Sequence, residues 1–286
     1  MRIAVVGNCY VEAIAGCLRL LLPGAEVTPF WARADRAEEA KAFYASLGAF
    51  DVVCGHRAAS GDLARTAREA GARRFIQLPA LVFTGFQPDN VMIGALRGPM
   101  GHCHSAIAVS AFLLGLPEAR AQGLFNSFVY ASLGYFDRFA QERERLLRSA
   151  ASLDFDLRAD FEAWPRPFMH DVSHPAFPTH VSVARILARR LSDEVREVDW
   201  SDPAVVAAAD HTKFNALWPV YPEIARRLGM PEQPLVFRFE GRLRQELSLE
   251  EFIARSYELY AGADPALLTR AVEPEMAVLS ELFAYV

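Results

Sequence analysis

The opening stretch Met1-Arg2-Ile3-Ala4-Val5-Val6-Gly7-Asn8-Cys9 decides the fold. Residues 2–6 form a short apolar run that predicts a buried strand, and Gly7-Asn8 ends it. An apolar stripe at helical spacing follows over residues 11–22, and Pro23-Gly24 closes this predicted helix. A buried strand, a tight turn and a helix in this order predict an α/β fold.

The alternation of strands and helices continues to residue 78. Further strands are predicted at 26–30, 50–54 and 74–78, with helices at 37–47 and 61–70. This order predicts a parallel sheet with helices on both faces. Functional residues of such sheets gather at the carboxyl ends of the strands, where the sequence places Gly7-Asn8-Cys9, Cys54-Gly55-His56 and the loop 79–90.

The remainder of the chain is predicted to be mostly helical. Helices are expected at 105–114, 125–147 and 179–191, and one strand is expected at 234–239. We therefore expect an α/β catalytic core over residues 1–200. A helical C-terminal extension, residues 201–286, is expected to pack on that core.

Composition excludes several classes of protein. Of 286 residues, 52% are hydrophobic and 23% charged, which is typical of a globular protein. A net charge of −5 argues against a broad nucleic-acid surface. The sequence shows no signal-peptide or membrane-span pattern, and its four cysteines show neither CxxC nor secreted-type spacing. These patterns predict a cytoplasmic protein with reduced thiols.

Cys9 is the first candidate for chemistry. It lies between a predicted strand and a predicted helix, and the N-terminus of a helix presents unpaired N–H groups and a partial positive charge. Such a setting favours a thiolate and can stabilise an oxyanion. The alternative is a small buried cysteine in a tight turn.

Asp171 and His174 are the second candidate, in the pattern Asp-x-x-His followed by Pro175. A nucleophilic cysteine needs a base, and the base needs an orienting group. The alternative is a surface turn with a helix-capping aspartate. Cys9 early in the chain with Asp171 and His174 far downstream matches the arrangement of SGNH hydrolases, with cysteine replacing the usual serine.

Three segments together resemble the WcbI family of capsular-polysaccharide biosynthesis proteins. They are Gly7-Asn8-Cys9, residues 78–89 with Phe83-Thr84-Gly85-Phe86-Gln87-Pro88-Asp89, and His170-Asp171-Val172-Ser173-His174-Pro175. The resemblance covers about residues 1–195. It implies an SGNH-like α/β sandwich that binds coenzyme A and O-acetylates a polysaccharide sugar. Cys9 then takes the position of the SGNH serine, and Asp171 and His174 form the DxxH pair.

The chain departs from the family pattern at two points. Tyr10 stands where the family has Gln after the cysteine, and the GxND block of SGNH proteins is missing. The groups that bind the oxyanion or the substrate are therefore chosen from several candidates: Gly7, Asn8, Gly55, Thr84, Gly85 and Asp89. Backbone N–H groups at Gly55 and Gly85 could approach a carbonyl oxygen, and Asp89 could bind a sugar hydroxyl. Ordinary turn chemistry is the alternative for this loop.

Two segments are candidates for binding coenzyme A. His56 and Arg57 follow the third strand, and Arg57 could hold a phosphate. His104 and Ser105 begin a predicted helix whose N-terminus could do the same. The run His102-Cys103-His104 lacks the spacing of known zinc sites, so no metal is expected.

The sequence thus predicts an acetyl-CoA-dependent O-acetyltransferase acting on a sugar or polysaccharide acceptor. Transfer could pass through an acyl group on Cys9, or His174 could activate the sugar hydroxyl directly. An esterase or thioesterase with the same residues is the second hypothesis, and a non-catalytic protein that binds coenzyme A or a glycan is the third. No nucleic acid and no membrane span are expected, and the oligomeric state is left open between monomer and homo-oligomer.

Overall fold

The computed structural model describes residues 1–56, 62–212, 214, 216–240 and 244–284. Its strands are β1 (Arg2–Gly7), β2 (Glu26–Trp31), β3 (Val52–Gly55), β4 (Arg74–Gln77), β5 (Asn90–Met92), β6 (Cys103–Ser105), β7 (Met169–Asp171), β8 (His174–Pro175), β9 (Ala216–Leu217), β10 (Val236–Phe239) and β11 (Gln245–Ser248).

Helices account for most of the remaining described residues. They are α1 (Val11–Leu21), α2 (Ala37–Ala45), α3 (Leu63–Glu69), α4 (Ala106–Leu113), α5 (Glu118–Gln122), α6 (Ser127–Ser132), α7 (Tyr135–Ala151), α8 (Arg158–Ala163), α9 (Phe177–Leu191), α10 (Pro203–Ala209), α11 (Pro222–Arg227), α12 (Leu249–Tyr260) and α13 (Pro265–Ala284). Short 3-10 turns precede and follow α2.

The chain forms two compact units, and both are built from separated stretches of sequence. Unit 1 comprises Met1–Leu81, Leu146–Phe168 and Pro175–Lys213. Unit 2 comprises Val82–Arg145, Met169–His174 and Phe214–Val286. Residues of the middle of the chain belong to both units, and the division expected at residue 200 stays a prediction.

Unit 1 is built on a four-stranded parallel sheet in the order β2-β1-β3-β4. The first strand is central, with Ile3 beside Val27 on one side and Val52 on the other. The predicted α/β architecture with a parallel sheet flanked by helices is confirmed. Because β1 and β3 are neighbours and run in the same direction, the residues that follow both strands emerge at the same edge of the sheet.

One face of this sheet is covered by α2 and α3. Ala4, Val6 and Val53 pack against Leu47 and Leu63 in a buried cluster. Aromatic side chains extend that cluster, including Phe30 and Phe43, whose rings stack at 4.1 Å between centroids. Side chains alternate along a strand, so Ile3 and Val5 are directed to the opposite face.

The opposite face is covered by α1, which packs against α9 and α10. Gly16 lies at the contact with the end of α10, where a Cβ atom on Gly16 would lie 2.5 Å from the carbonyl oxygen of Ala209. The missing side chain therefore permits the close approach of two backbones.

Gly16→Ala is expected to destabilise the protein, because the added methyl group meets backbone that cannot rotate away. The expected loss is about 1–3 kcal/mol of unfolding free energy, since overpacking outweighs the higher helix propensity of alanine. Gly24→Ala is the matched control, because a Cβ there meets nothing within 4 Å. Equal midpoints for the two variants in urea denaturation would contradict this explanation.

Unit 2 contains small sheets of strands and a helical core, and β7 pairs with β8 at residues 169–175. Strand β5 pairs with β6, and a three-stranded sheet has the order β11-β10-β9. The core joins α4, α12 and α13 through Ala106, Val109, Tyr260 and Leu268. Helix α13 is kinked at Val272, two residues before Pro274, as proline inside a helix requires.

Two predictions about elements were wrong in detail. The helix expected over 125–147 is divided into α6 and α7, because Gly134 takes a left-handed conformation with φ of +69°. The strand expected at 234–239 begins at Val236, and its partners β9 and β11 were not predicted.

Among the described residues, no helix is both long and apolar enough to cross a membrane.

Candidate active site

The Cys9 turn connects β1 to α1 in unit 1. Its first hydrogen bond runs from the Val11 N–H to the carbonyl oxygen of Asn8, at 3.2 Å. Cys9 is partly exposed, whereas Cys17, Cys54 and Cys103 are buried, and all four thiols are free. Burial raises the pKa of the Cys54 thiol to about 12. Cys9 is therefore the cysteine whose position allows a reaction with a dissolved substrate.

Gly55 and His56 lie at the same edge of the sheet as the Cys9 turn. Gly55 pairs with Val6 in the register of the sheet, and the His56 N–H donates to the Val6 carbonyl oxygen at 3.1 Å. Packing accounts for the glycine, because a Cβ on Gly55 would lie 2.1 Å from the Cδ2 atom of Leu63. Gly7 is similarly close-packed, because a Cβ there would lie 2.8 Å from Val11 Cγ1. Arg57 lies outside the described residues.

Tyr10 packs between two histidines. Its ring centroid lies 5.7 Å from that of His56 and 5.9 Å from that of His180 on α9. Burial lowers the pKa of His56, which favours the neutral imidazole. The Tyr10 hydroxyl and the Asn8 Oδ1 are buried without a hydrogen-bond partner in the described part of the chain. His180 was not predicted here, because nothing local links it to a turn 170 residues earlier.

The Asp171–His174 pair lies in the hairpin of β7 and β8. His174 Nδ1 is 2.7 Å from Asp171 Oδ2, and the His174 backbone N–H donates to Asp171 Oδ1 at 3.0 Å. The carboxylate is 1% exposed and the histidine side chain 25% exposed. The hairpin therefore holds a buried carboxylate against one nitrogen of a partly exposed imidazole.

Ser173 adds two further hydrogen bonds to the same carboxylate. Its backbone N–H and its hydroxyl donate to Asp171 Oδ1 at 2.8 Å and 3.0 Å. Burial would raise the pKa of Asp171, but the hydrogen bonds from His174 and Ser173 outweigh it and hold the pKa below its usual value. The carboxylate is thus kept ionised. Ser173 belongs to the motif quoted from the sequence, but the presence of a serine there did not by itself predict its hydrogen bonds to Asp171.

The Thr84-Gly85 loop is attached to this hairpin within unit 2. The Phe83 N–H donates to the Val172 carbonyl oxygen at 2.9 Å, and the Thr84 N–H donates to Glu142 Oε2 at 3.3 Å. A Cβ on Gly85 would lie 2.5 Å from the Phe83 ring. The structure thus brings Thr84 and Gly85 into the neighbourhood of the Asp171–His174 pair, and aromatic packing accounts for the glycine.

Asp89 lies deeper in unit 2 and is fully buried. Its Oδ1 accepts from the Ile107 N–H at 2.8 Å and from the Tyr135 hydroxyl at 3.3 Å, and its Oδ2 accepts from the Tyr221 hydroxyl. Burial raises the pKa of Asp89 to about 7, although the hydrogen bonds from Ser105, Tyr221 and Ile107 act against it. Both oxygens are engaged inside the protein, which supports a structural role for this carboxyl group.

The buried Asp89 is expected to make stability depend on pH. Its carboxyl is protonated in both states at low pH, and the unfolded chain releases the proton near pH 3.8 while the folded chain retains it to about pH 7. Stability conferred by the neutral form is therefore lost as the pH rises through this window. Through this ionisation, the unfolding free energy of the wild type is expected to fall by about 3 kcal/mol from pH 5 to pH 8. Asp89→Asn lacks the ionisable group, so its unfolding free energy should not show this fall.

Urea denaturation at both pH values measures this difference. The exposed Asp137→Asn is the control, since it removes a carboxyl from the same unit without a buried environment. If Asp89→Asn and wild type showed the same pH dependence, the ionisation of Asp89 would not be coupled to folding.

His104 and Ser105 are also buried in unit 2. Ser105 caps α4 through its Oγ, which accepts from the Ala108 N–H at 3.0 Å, so the predicted helix start at this residue is confirmed. His104 contacts the Tyr260 hydroxyl at 3.2 Å and the Leu96 carbonyl oxygen at 3.3 Å. Both side chains already have partners inside the protein, and their binding of coenzyme A stays a prediction.

The fold and the two sets of polar residues define an α/β protein with a partly exposed cysteine after its first strand and a hydrogen-bonded Asp–His pair. The family model described as "Polysaccharide biosynthesis enzyme WcbI" matches residues 2–196. The chain belongs to the WcbI family of polysaccharide biosynthesis enzymes. The resemblance seen in the three motifs is therefore confirmed.

A solved structure of WcbI, described as a novel polysaccharide biosynthesis enzyme, has the same fold. The TM-score is 0.67 and the identity 14%, and the similarity covers 96% of this chain and 94% of that chain. That structure is described as the native protein without a disulfide bond between coenzyme A and one of its cysteines. No curated protein matches the chain at a significant level.

Proposed function

We propose that the protein is an acetyl-CoA-dependent O-acetyltransferase that modifies a sugar hydroxyl during polysaccharide biosynthesis. The observation that carries the proposal is the Asp171–His174 pair, in which a buried ionised carboxylate holds Nδ1 of the imidazole at 2.7 Å. Such a pair directs Nε2 toward proton transfer. Membership in a family of polysaccharide biosynthesis enzymes supports a sugar as acceptor.

Cys9 supplies the nucleophile in this proposal. It is the exposed thiol of the chain, and it lies in the turn before the N-terminus of α1. Coenzyme A is the proposed carrier, because it is named with a cysteine in the description of the structurally similar WcbI. A cysteine thiol and a thioester substrate are chemically matched, since one thioester is exchanged for another of similar energy.

The reaction is proposed in two steps. His174 removes the proton from the Cys9 thiol, the Cys9 sulfur forms a bond to the acetyl carbonyl carbon, the bond from that carbon to the sulfur of coenzyme A breaks, and His174 passes the proton to the leaving thiolate. His174 then removes the proton from the sugar hydroxyl, whose oxygen attacks the acetyl group on Cys9. The bond from the acetyl carbon to the Cys9 sulfur breaks, and His174 passes its proton to that sulfur, which restores the thiol. Asp171 stabilises the imidazolium in both steps.

Backbone N–H groups near the two sets of residues are proposed to stabilise the oxyanion. The candidates are the Cys9 turn with Gly7 and Asn8, the Gly55 position beside it, and the Thr84-Gly85 loop. Because the Thr84 N–H already donates to Glu142, the other N–H groups are better candidates for binding the oxyanion. We propose a cytoplasmic location, where acetyl-CoA is available and thiols remain reduced.

The proposal is tested by incubating the protein with labelled acetyl-CoA, with and without a panel of sugar acceptors. We expect acetylated sugar as the main product and slow release of acetate in water alone. Fast acetate release that no sugar suppresses would assign the protein to the esterases and thioesterases. Binding of coenzyme A with neither product would favour a non-catalytic binding protein.

A further inference from the structure

A cavity in unit 1 has a lining that the proposed reaction does not use. It has a volume of about 390 Å³ and is lined by residues of α9, by the segment 192–200 that follows α9, and by Leu21 at the end of α1. Its polar lining includes three arginines and two acidic residues, together with one tryptophan: Arg185, Arg189, Arg196, Asp193, Glu197 and Trp200. The volume is within the range of small-ligand sites.

The Cys9 turn does not line this cavity. Helices α1 and α9 run side by side in the same direction, since Tyr10 packs on His180 near their starts and the Arg196 N–H donates to the Leu21 carbonyl oxygen beyond their ends. Helix α1 has 11 residues and is therefore about 17 Å long. Leu21, one helix length from the Cys9 turn, lines the cavity, and the lining continues along α9 to Trp200, which packs on Phe177 at the start of α9. Cys9 is not among the lining residues.

The arginines of the cavity differ in how they are held. Arg185 pairs with Asp160 on α8, which fixes the position of its guanidinium group. Arg189 and Arg196 are exposed and form no ion pair within the described residues. Two guanidinium groups without a carboxylate partner, beside a third that is anchored, form a favourable setting for a phosphate group.

The other polar residues restrict what the ligand can be. Asp193 and Glu197 would repel a ligand that is anionic along its whole length, but their carboxylates accept hydrogen bonds from hydroxyl groups. The Trp200 ring packs on the Phe177 ring in a T-shaped arrangement, with 6.0 Å between centroids. A supported indole ring offers a flat apolar surface to a sugar ring.

We propose that this cavity binds a phosphorylated sugar. The guanidinium groups of Arg189 and Arg196 hold the phosphate, Asp193 and Glu197 accept from the sugar hydroxyls, and Trp200 covers one face of the ring. The site is separate from the Cys9 turn and binds its ligand without acetyl transfer.

Calorimetric titration of the full chain with glucose 1-phosphate tests this site. Arg189→Ala/Arg196→Ala is expected to weaken binding by about tenfold or more, because two charge-assisted contacts are lost. Arg65→Ala/Arg68→Ala is the matched control, with the same change of charge on α3, at the opposite face of the sheet. Its affinity should equal that of wild type.

Other ligands separate the alternatives. Inorganic phosphate and glucose should each bind more weakly than glucose 1-phosphate, and equal binding of inorganic phosphate would overturn the sugar part of the proposal. No binding of glucose 1-phosphate by wild type at millimolar concentration, or equal binding by all variants, would overturn it entirely. A loss of coenzyme A affinity alone in Arg189→Ala/Arg196→Ala would assign the cavity to the acetyl donor and also overturn it. Cys9→Ala should bind glucose 1-phosphate normally, so this result is independent of the proposed acetyl transfer.

Discussion

Cys9→Ala is expected to reduce the turnover of acetyl transfer by a factor of about a thousand or more, because removal of a nucleophile eliminates the covalent route. The thiol lies in a turn outside the packed core and is partly exposed, so the folded structure should be retained. Initial rates of sugar acetylation at saturating acetyl-CoA measure the effect. Thermal unfolding of the same preparation confirms that the variant is folded.

Cys17→Ala is the matched control for this prediction. It also removes one thiol, but Cys17 is fully buried on α1, where burial raises the pKa of its thiol and prevents reaction. Its turnover should remain close to that of wild type. A Cys9→Ala variant with turnover lowered only a few-fold would favour direct attack by the sugar hydroxyl, with His174 as base and Cys9 only shaping the site.

Asp171→Asn is expected to reduce turnover by a factor of about 10³–10⁴ with a smaller change in the KM for acetyl-CoA. The asparagine amide would present a donor to His174 Nδ1, so the proton would move to Nε2 and the base would be lost. Since Asp171 also accepts the backbone N–H groups of Ser173 and His174, thermal unfolding must be measured beside the rates. A rise of activity at high pH, as a stronger external base becomes available, would be consistent with this cause.

Ser173→Ala is the control for the Asp171 prediction. It removes the hydroxyl bond to the carboxylate and the 3.2 Å contact of the same hydroxyl with His174 Nδ1. The His174–Asp171 contact and both backbone bonds stay in place. We expect turnover to fall by less than about tenfold. If Asp171→Asn behaved like Ser173→Ala, the pair would be a structural feature of the hairpin and His174 would not act as a base.

The parts of the molecule that the sequence predicted well depend on local patterns. The strand–turn–helix around Cys9 follows from one apolar run and Gly7-Asn8, and the structure has β1 and α1 there. The hydrogen bond between Asp171 and His174 joins residues three apart, so a short motif is enough to predict it. The parallel sheet follows similarly from strands that alternate with helices.

The features that the sequence did not predict depend on contacts between distant residues. Strands β9 and β11 have two and four residues, and pairing with β10 rather than their own composition defines them. The packing of His180 on Tyr10 joins residues far apart in the chain. The full burial of Asp89 was not predicted either, since Pro88-Asp89-Asn90 is a common sequence in exposed turns.

The central claim is that Cys9 carries the acetyl group between coenzyme A and the sugar. It is tested most directly by mass spectrometry of the intact protein and its peptides after brief exposure to labelled acetyl-CoA without acceptor. We predict one added acetyl group on the peptide that contains Cys9, its loss when the sugar is added, and no label in Cys9→Ala. An unlabelled Cys9 in a preparation that still acetylates the sugar would contradict the claim.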